Sequence, residues 1–325
     1  MCTAISFNSA NNHYFGRSLD FERRFNESIV ITPRNYIFNF NSQEIYENHN
    51  AMIGTATLID NYPLYFDATN EHGLSMAGLN FIGNAYFYKN KIDGKINLAP
   101  YELIPYILSK CSNVDESIKE LSKIVLIDIR FNNELSNAEL HWIIADKKRC
   151  IVFEHMKNCS KIHENPVGVL TNNPPMEFQI MNLNNYVNIS NNMPKNKFSD
   201  HLGLNIYSRG MGALGLPGDN SSMSRFVRCS FVKLNSIKPK DDIEATTQFF
   251  HILSSVNQVE GSVVIDDKLE RTQYMSCCNT GKGIYYYKTY ENSQISAINM
   301  HKENLEQSKL ISYKMQFKQE IKYIN

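Results

Sequence analysis

The sequence predicts an α+β fold in which two β-sheets are stacked on each other. Strand patterns are grouped at both ends of the chain, and helical patterns lie between them. No internal repeat, low-complexity linker or domain boundary interrupts the 325 residues, so we expect one domain spanning 1–325. The composition, 42% hydrophobic and 20% charged, is that of a globular protein.

The first 21 residues predict a β-hairpin. Its parts are a β-rich segment, a cluster of turn residues and a second extended segment: Cys2–Phe7, Asn8–Asn12 and His13–Phe21. A turn centred near position 10 places Cys2 opposite about position 18 and brings Arg17 and Asp20 beside it. Residues three apart on a flat strand point to opposite faces, so both side chains reach Cys2 only if the strand ends, bends or bulges there.

Extended patterns continue after this hairpin. Three further strands are predicted at Ser28–Pro33, Ala51–Leu58 and Leu64–Ala68. A second hairpin runs from Tyr65 through the turn Asn70–Gly73 into Leu74–Phe81.

The middle of the chain is mainly helical in pattern. Helices are predicted at 98–110 and 114–124, the second opened by Asn113 with Glu116 at capping-box spacing. Two strands, a short helix and two longer helices follow: Leu140–Ala145, Cys150–His155, 176–184, Met223–Leu234 and 243–256. Ser221 and Ser222 precede the fourth helix as caps. The last predicted strands are Arg271–Cys278, Gly283–Tyr290 and Gln294–Met300.

Charge and cysteine usage restrict the functional class. Thirty-three basic residues balance 33 acidic ones, which argues against nucleic-acid binding. The N-terminus shows no signal-peptide pattern, and no apolar run reaches the roughly 18 residues of a membrane span. The seven cysteines have no framework spacing. They read as reduced thiols, which predicts a cytoplasmic protein without a membrane partner.

The second residue is a candidate nucleophile. Removal of Met1 would expose Cys2 with both a thiol and a free α-amine. A thiolate is a strong nucleophile, and an amine on the same residue can serve as its base. The alternative is a cysteine that only packs into a strand, and its position in the chain leaves both interpretations open.

Other motifs predict no cofactor or metal. Gly210–Gly215 matches G-x-G-x-x-G, but Leu216–Asp219 follows at once and would break a helix, so we expect a glycine-rich loop. The histidines and cysteines lack metal-ligand spacing. The adjacent Cys277 and Cys278 suit neither zinc nor an unstrained disulfide, and we expect one of them in the core.

Four polar residues have a functional and an ordinary interpretation. Beside a nucleophilic N-terminus, Asp20 could orient the amine, and Arg17 could favour the thiolate through its positive charge. Asn80 ends a strand pattern and Asn172 precedes a proline turn, where asparagine is common. Amide N–H groups at such sites can also stabilise an oxyanion. The residues alone do not decide between these interpretations.

An ordered set of motifs resembles a known family. The set is Met1-Cys2-Thr3, Phe15–Asp20, Asn70–Leu74, Gly78–Phe81, Gly168–Pro174, Gly215–Asp219 and Ser224–Phe226. In this order and spacing the motifs resemble the choloylglycine hydrolase family, which includes bile salt hydrolases and penicillin V acylases. The resemblance runs from residue 1 to the C-terminal strands. It implies an αββα sandwich of the N-terminal nucleophile hydrolase type, a homotetramer, conjugated bile salts as substrates, and no cofactor or metal.

The resemblance also assigns roles to residues of this sequence. It implies that Cys2 is the nucleophile and, through its amine, the base, and that the polar shell consists of Arg17, Asp20 and Arg225. It matches Asn172 and the backbone N–H of Asn80 to the oxyanion hole.

Substrate preference is the less specific part of the resemblance. Asn80 favours the bile salt branch, because penicillin V acylases resembling this chain often carry Tyr there. A penicillin V acylase or another N-acyl amidase is the alternative, and a non-catalytic binding protein is a rival from another class. We expect the apolar pocket at Leu19, Ile59, Phe66, Phe131 and Leu135, with plain core packing as the alternative.

Overall fold

The computed structural model describes residues 1–9, 12–42, 45–46, 48–157 and 159–325. The predicted turn residues Ala10 and Asn11 lie outside these ranges. The first strand runs on to Ser9 and the second starts at Asn12, so the connection between them is shorter than the predicted turn of residues 8–12.

The described elements come in groups, with strands at both ends and in the middle of the chain and helices between these groups. The strands are β1 (Cys2–Ser9), β2 (Asn12–Phe21), β3 (Ser28–Thr32), β4 (Phe38–Asn39), β5 (Ile45–Tyr46), β6 (Met52–Ile59), β7 (Tyr62–Asn70), β8 (Ser75–Asn80), β9 (Ile96–Leu98), β10 (Ile124–Leu126), β11 (Leu140–Ala145), β12 (Cys150–Met156), β13 (Cys159–Glu164), β14 (Val169–Leu170), β15 (Val263–Ile265), β16 (Lys268–Asn279), β17 (Ile284–Thr289), β18 (Ser296–Asn299) and β19 (Ile311–Lys314). The helices are α1 (Leu103–Lys110), α2 (Val114–Leu121), α3 (Met176–Asn182), α4 (Ser222–Asn235) and α5 (Asp242–Ser254).

Two large antiparallel sheets form the centre of the fold. Sheet one has the order β14-β1-β2-β16-β17-β18, with β15 paired to β16. Sheet two has the order β13-β12-β11-β8-β7-β6-β3-β19. Both sheets therefore combine strands from the beginning and the end of the chain.

The two sheets face each other, and each carries helices on its outer side. Helix α1 packs on β7 and β8, whereas α4 and α5 pack on sheet one. Between the sheets, the Tyr285 hydroxyl of sheet one contacts Thr55 and Asp67 of sheet two, at 2.7 and 2.5 Å. The layers are therefore helix, sheet, sheet and helix, which confirms the αββα arrangement. Residues 13–20 of β2 are buried on both faces, as an inner layer requires.

The register of the first hairpin determines what surrounds Cys2. Cys2 pairs with Leu19 and Ala4 pairs with Arg17, so Cys2, Leu19 and Arg17 share one face of sheet one. The strand β2 pairs with β1 in continuous register, so it does not bulge beside Cys2, and the irregularity lies in the neighbouring strand β16, between Thr272 and Tyr274. Arg17 reaches the sulfur diagonally across the ladder without a bulge in its own strand.

The predicted element types agree with the structure, and the differences lie at ends and edges. The predicted helix 98–110 begins too early, because Leu98 belongs to β9 and Pro100–Glu102 forms a 3-10 turn. The predicted helix 114–124 ends at Leu121. Eight described strands were not predicted, and most of them are too short to carry a periodic signal: β4, β5, β9, β10, β13, β14, β15 and β19. In the part of the chain that the structure describes, no helix is long and apolar enough to cross a membrane.

Candidate active site

The sulfur of Cys2 is buried and in contact with a guanidinium. Cys2 opens β1 and is 3% exposed. The Arg17 Nη2 group donates to its Sγ at 2.6 Å. The structure therefore brings the predicted nucleophile and the predicted cation into direct contact.

Arg17 is held in place by backbone carbonyls on three sides. Its Nη1 donates to Phe66 O at 3.1 Å and to Gly78 O at 2.6 Å, and its Nε donates to Ser18 O at 3.1 Å. Burial disfavours the charge, but the neighbouring Cys2, Tyr274, Asp67 and Asp20 groups outweigh it and raise the pKa of Arg17. The guanidinium is a rigid, permanent cation beside the sulfur.

Asp20 lies on the opposite face of β2 from Arg17. Its carboxylate accepts hydrogen bonds from Ser18 Oγ at 3.2 Å and from Thr272 Oγ1 at 2.7 Å. Its backbone N–H donates to Met1 O at 2.8 Å, and its carbonyl accepts from the Met1 ammonium at 2.5 Å. Asp20 thus contacts the residue that caps Cys2 rather than the sulfur itself.

Met1 is present and blocks the nitrogen of Cys2. The Met1 ammonium also pairs with Glu270 at 2.8 Å, and this glutamate is 2% exposed. Burial raises the pKa of Glu270, although the ammonium partly opposes the shift. Sequence reasoning missed Glu270, because it lies in the distant strand β16 and belongs to none of the recognised motifs. In this form Cys2 N is an amide that donates to Asn172 Oδ1 at 2.9 Å.

Asn172 connects three parts of the site. The edge strand β14 pairs with β1 through Leu170 and Ala4, which places the following Asn172 beside Cys2. Its Oδ1 also accepts from Arg225 Nη2 at 2.8 Å. Its Nδ2 donates to Asn80 O at 2.9 Å, at the end of β8. An amide nitrogen carries two hydrogens, so one remains for another acceptor.

Arg225 enters the site from the helical layer. Ser221 caps α4 by accepting from Ser224 N, which places Arg225 in the first turn of the helix. Arg225 Nη1 donates to Cys2 O at 2.5 Å and to Thr3 Oγ1 at 2.7 Å. Burial lowers the pKa of Arg225, although Asp20, Cys2 and Glu270 oppose the shift. Its hydrogen bonds fix the start of β1.

Two of the predicted pocket residues lie beside this centre. Leu19 is buried opposite Cys2 in the hairpin. Phe66 packs on Phe25 with ring centroids 5.5 Å apart, and its carbonyl holds Arg17.

Two other predicted pocket residues meet around Tyr62. Phe131 packs on the Tyr62 ring at 5.5 Å, and Ile59 pairs with Tyr62 across the turn between β6 and β7. Leu135 is partly buried in the segment before β11. Their contact with a substrate stays a prediction.

Other predicted features have ordinary places in the fold. The glycine-rich segment 210–215 forms a 3-10 turn at Met211–Ala213 and a loop. Cys277 and Cys278 are both buried, whereas we expected only one of them in the core. A cavity of about 420 Å³ opens near the far end of β1, lined in part by Ser6 and Lys233, and contains none of the predicted catalytic residues.

Known proteins resemble this chain in sequence and in fold over nearly their whole length. The sequence model of the linear amide C–N hydrolases, choloylglycine hydrolase family, matches residues 2–313. A protein named bile salt hydrolase/transferase, from Lactiplantibacillus plantarum, is 51% identical over 314 residues, covering 96% of each chain. A crystal structure of a mutant conjugated bile acid hydrolase from Clostridium perfringens superposes with a TM-score of 0.93 at 37% identity, covering all of both chains.

A more distant structure supports the same fold. Penicillin V acylase from Agrobacterium tumefaciens has a TM-score of 0.73 at 19% identity, with 96% of this chain and 90% of that one covered. The αββα sandwich is thus of the N-terminal nucleophile hydrolase type, as predicted. From the family match and the identity over nearly full length, the chain belongs to the choloylglycine hydrolase family of linear amide C–N hydrolases.

Proposed function

We propose that this protein is a bile salt hydrolase that cleaves the amide bond of glycine- or taurine-conjugated bile acids through a Cys2 thioester. The contact of Arg17 Nη2 with Cys2 Sγ carries the proposal, because it holds a buried cysteine beside a fixed positive charge. The relative that is 51% identical bears the name bile salt hydrolase/transferase. The contact supports a cysteine nucleophile, and the name of the relative supports an amide hydrolase with a steroid acyl substrate.

The first step is the removal of Met1, which converts the Cys2 amide nitrogen into an α-amine. An unperturbed α-amine has a pKa of about 7.7–8.0 and can take the thiol proton near neutrality. Asn172 Oδ1, which accepts from this nitrogen at 2.9 Å, would orient the amine. We assign Asp20 to the same task, since its backbone contacts the residue that leaves.

Acylation then forms one bond and breaks another. Cys2 Sγ attacks the amide carbonyl carbon, and the carbonyl oxygen takes the electron pair. Asn172 Nδ2 and the backbone N–H of Asn80 donate to this oxyanion. When the tetrahedral intermediate collapses, the C–N bond breaks and the protonated Cys2 amine gives its proton to the leaving glycine or taurine.

Deacylation repeats these steps with water as the nucleophile. The free amine of Cys2 removes a proton from water, which adds to the thioester carbonyl. The C–S bond breaks, the bile acid leaves and the thiolate returns to its place beside Arg17. Arg225 would keep Asn172 aligned throughout, because it donates to Asn172 Oδ1 and to Cys2 O.

A penicillin V acylase or another N-acyl amidase is the main alternative. The test is a comparison of kcat/KM for glycocholate, taurocholate and penicillin V under one set of conditions. We expect both bile salts to exceed penicillin V, and a clear preference for penicillin V would overturn the substrate assignment. The variant C2A separates both enzymes from a non-catalytic binding protein, since we expect it to fold and to lose all turnover.

We also propose a single domain of residues 1–325 and a homotetrameric, cytoplasmic protein. The pairing of β19 with β3 and of β16 with β2 supports one folding unit.

Large exposed apolar side chains between α3 and α4, including Val187, Phe198 and Tyr207, support assembly with further copies. The cysteines whose side chains are described are free thiols, which fits a reducing compartment. Light scattering that gives the mass of one chain would contradict the tetramer.

A further inference from the structure

A buried cluster of ionisable residues lies behind the site and has no role in the mechanism above. It consists of His141, Glu154 and His163, which occupy the adjacent strands β11, β12 and β13 of sheet two. The side chains of His141 and Glu154 are fully buried, and that of His163 is 20% exposed. Burying such groups is costly unless they are paired, so their position calls for a reason.

The ring of His141 contacts both segments that form the candidate oxyanion hole. Its Nε2 donates to Thr171 O at 2.9 Å, and Thr171 directly precedes Asn172. Its ring stacks on Phe81, with centroids 4.3 Å apart and planes 9° apart, and Phe81 directly follows Asn80. One side chain therefore connects the two backbone segments that carry the candidate oxyanion donors.

Glu154 holds this ring and the next part of the same loop. Its Oε1 lies 3.4 Å from His141 Nδ1 and accepts from Met176 N at 2.8 Å, where α3 begins. Its Oε2 lies 3.2 Å from His163 Nε2, as an ion-pair contact rather than a directed hydrogen bond. Burial would raise the pKa of Glu154, but the two histidines outweigh it and lower the pKa to about 2. The segment from Thr171 to Met176 is thus fixed at both ends.

We propose that His141, oriented by Glu154, is a positioning residue that keeps Asn172 and Asn80 at the spacing an oxyanion requires. The proposal rests on the proposed acyl-transfer function of the same site. Apart from Glu154, the described contacts of His141 are with Thr171 and Phe81, the neighbours of the two asparagines, and not with Cys2. His141 acts together with two described hydrogen bonds between the same segments, from Asn172 Nδ2 to Asn80 O and from Asn173 Nδ2 to Ile82 O.

The test compares two reactions of Cys2 in the full-length protein. Acylation by a p-nitrophenyl ester develops an oxyanion, whereas alkylation by iodoacetamide does not. In H141F, which keeps a ring for stacking but loses the donor, we expect acylation to slow by roughly 10–100-fold. We expect alkylation to stay within about twofold, because Arg17 and Cys2 are unchanged.

Two further variants serve as rescue and control. In H141Q the amide nitrogen can reach Thr171 O, so we expect much of the acylation rate to return. His155 is a buried histidine of the same sheet that contacts Tyr86 O and Leu126 N instead, at 2.5 and 3.3 Å. We expect H155F to leave the ratio of the two rates unchanged, even where it lowers Tm.

Several outcomes would overturn the role of His141. An unchanged ratio in H141F, or a ratio in H141Q no better than in H141F, would show that His141 only fills the core. Should H141F not fold, E154Q provides the same comparison with a smaller expected decrease in acylation, and an unchanged ratio there would also count against the proposal. Failure of the wild-type protein to hydrolyse bile salts would overturn the substrate assignment alone, because the ester reaction needs no steroid.

Discussion

The guanidinium of Arg17 joins Cys2 of sheet one to the backbone of sheet two. Its Nη2 lies 2.6 Å from Cys2 Sγ, while its Nη1 donates to Phe66 O and Gly78 O on β7 and β8. The nucleophile is therefore positioned by the packing of the two sheets, and not by the hairpin alone. Changes at Arg17 should affect both the sulfur and the contact between the sheets.

Replacing Arg17 should slow the reactions of the Cys2 thiol without removing the thiol. In R17K one charge remains, but a lysine cannot donate to the sulfur and to both carbonyls in the same planar arrangement. We expect iodoacetamide alkylation at pH 7 to slow about tenfold. The free energy of unfolding should fall by about 1–3 kcal/mol for each carbonyl that loses its donor. The exposed Arg23 offers a control, and an R17K protein that reacts as fast as R23K would contradict this role.

An extra residue before Cys2 should abolish bile salt hydrolysis while leaving the Cys2 sulfur reactive. Insertion of an alanine between Met1 and Cys2 leaves an amide at Cys2 N after processing, so the base is lost. We expect no bile salt hydrolysis, although iodoacetamide still labels Cys2. Mass spectrometry identifies the N-terminal residue of each preparation. Turnover by a chain that retains the extra alanine would show that the amine is not the base.

The side-chain amide of Asn172 should be needed for the rate rather than for binding. N172D keeps an oxygen for Arg225 but replaces the amide donor with an oxygen. We expect kcat to fall by roughly 10²–10³-fold, with little change in KM. N173D is a neighbouring control, because Asn173 Nδ2 donates to Ile82 O at 2.8 Å and belongs to no predicted catalytic group. A normal kcat in N172D would remove Asn172 from the oxyanion hole.

The side chain of Asn80 should influence substrate choice. Penicillin V acylases resembling this chain often carry Tyr at this position. The variant N80Y should therefore raise kcat/KM for penicillin V relative to kcat/KM for glycocholate. The change lies at the end of β8 and leaves the backbone N–H in place. Steady-state rates on both substrates measure it. A ratio that stays constant would mean that other residues determine the preference.

Acid should destabilise the first hairpin through His13. His13 is buried between Ser6 Oγ at 2.9 Å and Thr280 Oγ1 at 3.1 Å, and burial lowers its pKa to about 4. Between pH 6.5 and about 4 the unfolded chain binds a proton that the folded chain does not, so stability falls as the pH decreases. The loss should be on the order of 3 kcal/mol.

Urea unfolding at several pH values from 7 to 4 measures this dependence. We expect H13Q to be less stable than the wild-type protein at pH 7 but to depend less on pH over this range. Because all other titrating groups are shared, the difference between the two slopes isolates His13. Equal slopes would contradict the assignment.

Local sequence patterns were sufficient for the hairpin but not for the whole site. The short connection near position 10 makes the pairing of β1 and β2 a local event, so the neighbourhood of Cys2 and Arg17 could be predicted from residue spacing. Asn80, Asn172 and Arg225 come from three distant elements, and only the family resemblance joined them to Cys2.

The remaining contacts depend on pairings that no local pattern encodes. Glu270 reaches Met1 because β16 lies beside β2, and His141 reaches Thr171 through the packing of β14 near sheet two. The edge strand β14 has two residues and gives no periodic signal, although it positions Asn172. A charged residue that directly follows the apolar run Cys150–Phe153 within one predicted strand, as Glu154 does, was the signal that could have pointed to this region.

The central claim is that a processed Cys2 forms the acyl-enzyme, and intact-mass measurement after rapid acid quenching tests it most directly. With glycocholate or taurocholate, we predict a chain lacking Met1 that carries one cholyl group, and peptide mapping should place that group on the N-terminal Cys2. An active protein that retains Met1, or a cholyl group on any other residue, would contradict the account.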